Sequence, residues 1–178
     1  FLGYLAPHSA FLKVKEAARK ALELDPALAE AHTSLGWAAA FYDWDWVESE
    51  SRFRRAEELS PSYVLARTWH PWVLLCLGRF DEARTEFETA LKMDPAQGET
   101  AYLYGRACYQ RGEFAKAAGL FEEACRSREH HEARFFAAQS YTSLGNTEES
   151  LKSYRMALRA LEKHVELNPD DARAFTIG

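Results

Sequence analysis

Cys125, His130 and His131 carry side chains of the kind that can ligate a metal. A structural zinc site needs two ligand pairs at fixed short spacings, and no second pair follows these three. They are therefore expected to make a polar turn with two exposed histidines and no metal. Carboxylate pairs recur at Glu57-Glu58, Asp81-Glu82, Glu122-Glu123 and Glu148-Glu149. They read as solvated helix faces, and near a helix start an acid also suits the helix dipole. The glycines are isolated, so no glycine-rich loop could cradle a phosphate. With no nucleophile set beside a base, neither an enzyme nor a cofactor is expected. The residues left over do a different chemistry. Trp37, Phe41, Trp72, Tyr102, Arg106, Tyr109, Phe135 and Gln139 offer rings, one guanidinium and one amide, and aromatic and Arg side chains supply most of the energy at peptide interfaces.

The elements that must position these side chains are written in a repeat. Gly78, Phe80, Ala83, Phe87 and Ala90 return 34 positions later as Gly112, Phe114, Ala117, Phe121 and Ala124. One step earlier, Phe53, Ala56 and Pro61 precede Phe87, Ala90 and Pro95 at the same offset. Each residue has a physical reason. The glycine ends one helix in a positive-φ conformation that lets the chain reverse. The alanine one turn into the next helix lets two helices approach closely. Phe80, Phe87 and Ala90 share one helical face and are expected to fill the space between hairpins. Proline stops the helix.

A 34-residue period of Gly, aromatic, Ala, Phe, Ala and Pro resembles the tetratricopeptide repeat, and the resemblance covers nearly all of the chain. It implies an all-α fold, a right-handed α-solenoid of stacked antiparallel helix pairs in which each pair touches mainly its neighbours. On this reading residues 1–178 form a single array. Residues 7–26 are the second helix of a partial repeat, 27–61, 62–95 and 96–129 are repeats, 130–169 is a repeat with an extended second helix, and 170–178 begin another. The match is strong in second helices and weaker in first ones. Where the family prefers an aromatic, Leu-Gly and Tyr, one copy has His32, Leu35-Gly36 and Ala39, and the next has Arg67, His70-Pro71 and Leu74. First helices of such arrays line a concave groove, so the resemblance puts Thr33, Thr68, Tyr102 and Phe135 in one row. Trp37, Trp72, Arg106 and Gln139 make a second, and Ala40, Leu75, Tyr109 and Thr142 a third. The implied function is a non-catalytic module that binds a peptide or helix of a protein partner. Some relatives grip a terminal carboxylate with Lys and Asn. The corresponding rows offer neither, so no carboxylate clamp is expected. The chain also resembles arrays attached to bacterial signalling proteins, namely Ser/Thr kinases, nucleotide cyclases and winged-helix regulators, which implies a regulatory or sensory arm as the alternative.

Departures from the period carry their own expectations. In Tyr42-Asp43-Trp44-Asp45-Trp46 the turn glycine is missing and one residue is inserted; Trp46 takes the place of Phe80, and Asp45 suits an N-cap. Pro71 falls inside a first helix, where a kink is predicted near Arg67 to Pro71. Nothing between Thr147 and Leu167 breaks a helix, so the last second helix should run roughly 30 Å. Its stripe of Leu151, Tyr154, Leu158, Leu161 and Val165 calls for a partner along its length.

A net charge of -5 in 178 residues argues against non-specific binding to nucleic acid or to an anionic membrane surface. Apolar runs are too short to span a bilayer. Cys76, Cys108 and Cys125 are odd in number and sit in helical patterns, as reduced thiols of a cytoplasmic protein would. The chain opens on Phe1 with no signal segment and is expected to be part of a longer protein. Phe1 to Leu5 and Ala172 to Ile177 leave apolar faces at the ends, which invites end-to-end self-association.

Overall fold

The computed structural model describes residues 7–127 and 130–167. Among them the secondary structure is helical throughout: α1 (Pro7–Leu24), α2 (Ala29–Ala38) with a π-helical turn at Ala39–Asp43, α3 (Trp46–Leu59), α4 (Val64–Cys76), α5 (Phe80–Met93), α6 (Gly98–Gln110), α7 (Phe114–Ser127), α8 (His131–Ser143) and α9 (Thr147–Leu167). The helices gather into two compact units divided between Asp94 and Pro95. The expected residues 170–178 and Phe1 to Leu5 lie outside the described residues.

In the first unit each helix packs on the one before it, α1 with α2, α2 with α3, α3 with α4 and α4 with α5. The core is built on α3 and α5. Phe53 and Ala56 of α3, and Ala83, Phe87 and Ala90 of α5, are fully buried. Around Phe53 gather Ala29, Ala40, Ala66 and Val73, flanked by half-buried Trp37, Phe41, Trp46 and Trp69. Gly36 makes the close approach of α2 to α3 possible, since a Cβ there would sit 3.2 Å from the Phe53 ring and from Arg52 Cβ. Ser49, at the place of Ala83, donates its hydroxyl to Gly36 O at 2.8 Å. α4 continues through Pro71 to Cys76.

The second unit repeats the plan, with α6 on α7, α7 on α8 and α8 on α9. Ala117, Phe121 and Ala124 are fully buried. Phe80 of the first unit, by contrast, is 43% exposed at the start of α5, so there the filling falls to Ala83, Phe87 and Ala90. α9 has 21 residues against 14 for α3, α5 and α7, as its unbroken sequence predicts. Its buried face is another matter. Ser150, Ser153, Ala157 and Ala160 are buried, whereas Leu151 and Leu158 are 52% and 57% exposed. The small residues, spaced 3, 4 and 3, let α8 come close and turn the predicted leucine stripe partly outward.

The turns within hairpins share one geometry. Gly78, Gly112 and Gly145 have φ of 75°, 76° and 76°. Each is followed by an N–H that donates five residues back: Arg79 to Leu74, Glu113 to Cys108 and Asn146 to Tyr141, all at 2.9 Å. This satisfies helix-end carbonyls that would otherwise lack donors. In the α2–α3 turn Trp44 stands at the glycine position with φ of 58°. Here Asp45 N–H reaches six residues back, to Ala39 O at 3.0 Å, so the inserted residue is taken up by the π-helical turn. Left-handed backbone costs a residue with a Cβ roughly 1–2 kcal/mol. Asp45 then caps α3, its carboxylate accepting from Glu48 N–H at 3.0 Å.

Candidate functional site

The first unit brings Trp37 and Phe41 together one turn apart, with ring centroids 5.2 Å apart. Trp69 of α4 closes on both edge-to-face, at 6.2 Å from Trp37 and 5.7 Å from Phe41. Phe11 of α1 stacks on the other side of Trp37 at 5.2 Å. The result is a continuous aromatic face over three helices, whose members other than Phe11 remain half-buried. Edge-to-face pairs add to plain area burial and hold each ring in place. Trp72 is half-buried on α4, three residues beyond Trp69.

In the second unit the predicted residues meet around a ring that sequence reasoning passed over. The Arg106 guanidinium lies 5.6 Å from the centroid of Phe136 and 5.8 Å from that of Tyr102. Tyr109 packs edge-on to Phe136 at 5.9 Å and to Phe114 at 5.4 Å. Phe135 turns instead to Tyr154 of α9 at 5.8 Å. Tyr102 is buried, so it supports the cluster from beneath, while Arg106, Tyr109, Phe135 and Gln139 stay half-buried. Burial, helped by nearby Glu132, pushes the Tyr102 phenol well above the usual tyrosine range. Phe136 follows Tyr102 by 34, the period of the array, and that was its signal; the 33-residue step to Gly145 selected Phe135 instead.

The departures at Arg67 and His70 turn out to meet carboxylates of neighbouring helices. Arg67 meets Glu86 at 2.9 Å, and His70 Nδ1 meets Glu57 Oε1 at 2.9 Å. His70 also stacks on the buried ring of Phe53. Arg79 bridges Glu50 and Glu82. Burial works against the Glu50 carboxylate, but Arg79 and Arg54 hold it below the ordinary carboxylate range. These charges edge a cleft of about 640 Å³ between α3, α4 and α5.

His130 and His131 are not an exposed turn. His130 caps α8, its ring nitrogen accepting from Ala133 N–H at 3.3 Å, and its ring lies 4.6 Å from Tyr102. His131 opens the helix and packs on His164 of α9 at 5.1 Å. The unsatisfied N–H groups at a helix start draw the ring inward. The Cys125 thiol donates to His130 O at 3.7 Å. Among the described residues no group of three or more His, Cys, Asp and Glu is placed to hold a metal ion. No described helix is long and apolar enough to cross a membrane. The two aromatic faces hold rings and a guanidinium ready for apolar and cation–π contact, which is non-covalent holding chemistry.

Comparison with known proteins bears on the fold and the family. Residues 72–129 and 138–171 each match a family model described as Tetratricopeptide repeat, together just over half of the chain. The human DnaJ homolog subfamily C member 7 is 25% identical over 172 residues, covering 87% of this chain and 35% of that protein. Transcriptional regulator HilA of Salmonella typhimurium is 29% identical over 96 residues, covering 54% of this chain and 17% of that one. The chain thus spans about a third or less of these relatives' lengths. Among solved structures, MamA aligns with a TM-score of 0.74 at 18% identity over 89% of this chain and 93% of its own. YrrB, titled a TPR protein with an unusual peptide-binding site, aligns at 0.58 with 21% identity over 97% and 85%.

Proposed function

Because the chain belongs to the tetratricopeptide repeat family, we propose that it is a non-catalytic interaction module that holds a peptide or helix of a protein partner on its first helices. The observation that supports this reading is the half-buried aromatic surface on those helices, with Trp37, Phe41 and Trp72 in one unit and Tyr109 and Phe136 around Arg106 in the other. Rings already fixed by their neighbours lose little freedom when a ligand covers them, so contact area converts efficiently into affinity. A peptide array probed with the purified chain and with Trp72→Ala, Arg106→Ala and Tyr109→Ala variants tests it. Binding should fall at least tenfold in one or more variants while helicity stays unchanged. Undiminished binding in all three would move the site elsewhere. Peptides ending in Glu-Glu-Val-Asp should show no preference, because the rows lack the Lys and Asn of a carboxylate clamp.

The likeness to HilA over 96 residues favours a second reading, in which the array is the regulatory or sensory arm of a larger bacterial regulator or signalling enzyme. The full-length gene tests it directly: a DNA-binding, kinase or cyclase domain on the same chain supports it, and its absence refutes it.

A further inference from the structure

The chain contains its own control for the conformation of Trp44. Four turns reach a left-handed residue two positions before the next helix, and three of them use glycine. The fourth carries the bulkiest side chain available, and that side chain is not there to fill a core. The Trp44 residue is 70% exposed, touches Trp46 edge-on at 5.8 Å, and stands beside Val47, which is 76% exposed. A strained backbone that displays an apolar ring to water is an outlier that asks for a function. The display is also rigid. Asp45 caps α3 through Glu48 N–H, its own N–H is tied to Ala39 O, and Asp43 is held by Lys15 at 2.7 Å.

The surroundings define what would fit over this knuckle. From Ala21 to Ser51 the sequence has seven carboxylates and no Lys or Arg. Asp43, Asp45 and Glu48 flank the two apolar side chains. Lys15 answers Asp43 and Arg52 answers Glu48, and Arg19 and Glu23 line the hollow beside them, so with Asp45 four carboxylates face three cations around the tip. We propose that Trp44 and Val47 form a second docking point, separate from the aromatic faces of the first helices, for a protein partner whose apolar surface is rimmed by Lys or Arg. An anionic lipid surface is disfavoured by the same charges.

The test uses a labelled lysine/leucine amphipathic helical peptide, its glutamate/leucine counterpart, and the chain with Trp44→Gly, Trp44→Asn, Val47→Ser or Trp72→Ala. Anisotropy should show the lysine peptide binding the parent, more weakly as salt rises, and the glutamate peptide binding at least tenfold more weakly. Trp44→Gly and Trp44→Asn should each lower affinity at least tenfold and Val47→Ser about threefold. Trp44→Gly should also unfold at no lower denaturant concentration than the parent, since it relieves the left-handed strain. The proposal is overturned if the parent does not bind, if Trp44→Gly binds as the parent does, or if the glutamate peptide binds equally. Loss of stability in Trp44→Gly would make the ring a structural brace, and Trp44-dependent sedimentation with phosphatidylserine vesicles would make it a lipid contact; either result also overturns it. A loss confined to Trp72→Ala would assign the peptide to the first-helix surface, leaving that reading intact and this one refuted.

Discussion

The same substitution, glycine to alanine, should have opposite signs at two helical positions of the second unit. At Gly105 of α6 an added Cβ would lie 2.8 Å and 2.9 Å from two carbons of the Phe121 ring. That ring is fully buried, stacks on Phe136 at 5.6 Å and meets Tyr102 at 6.1 Å, so it cannot yield without moving both. Overpacking of this kind costs roughly 1–3 kcal/mol. Against it stands a gain of about 1 kcal/mol from replacing a helical glycine. The net expectation for Gly105→Ala is a loss of about 1 kcal/mol. Gly119 of α7 is exposed and a Cβ there meets nothing within 4 Å, so Gly119→Ala should keep the gain, roughly 0.5–1 kcal/mol. Thermal unfolding followed by far-UV circular dichroism resolves the pair, since 1 kcal/mol shifts the midpoint of a unit this size by roughly 4–8 °C. Gly36→Ala in the first unit, with contacts at 3.2 Å, should fall between them. If Gly105→Ala proves as stable as the parent while Gly119→Ala gains, close helix approach is not what reserves Gly105, and the packing reasoning fails.

Two further outcomes follow from single contacts. Asp45→Ala removes the carboxylate that accepts from Glu48 N–H and should destabilise the first unit by about 1 kcal/mol in urea denaturation. Tyr102 has its phenol raised by burial, so its contribution is complete below the ordinary tyrosine value and is lost as pH rises above it. Stability measured across alkaline pH should therefore fall less steeply in Tyr102→Phe than in the parent.

The scaffold was legible because its decisive residues act locally. Glycine at a left-handed turn, Asp45 at a helix start and the Ala-Phe-Ala spacing of α5 and α7 each state their role within one or two turns of chain. What was not legible depends on partners from elsewhere. Nothing near Arg67 or His70 announces Glu86 or Glu57, which come from neighbouring helices and turn apolar positions of the repeat into polar contacts with carboxylates. The rotation of α9 does not follow from its large apolar residues, because Ser150, Ser153, Ala157 and Ala160 set how near α8 can come. In the candidate site, Trp37, Phe41, Arg106 and Tyr109 were recognisable by type. Phe11 and Trp69, which hold the first pair in place, are visible only once the helices are packed, whereas Phe136 stands one 34-residue period after Tyr102.

Within each unit, the main packing among the described residues joins helices one or two apart in sequence. A unit tethered by its ends would then lose neighbour packing first as it lengthens. Under tension it should give way hairpin by hairpin, each 34-residue release paying out roughly 110 Å of contour, and on slackening each piece can rewind without waiting for the rest.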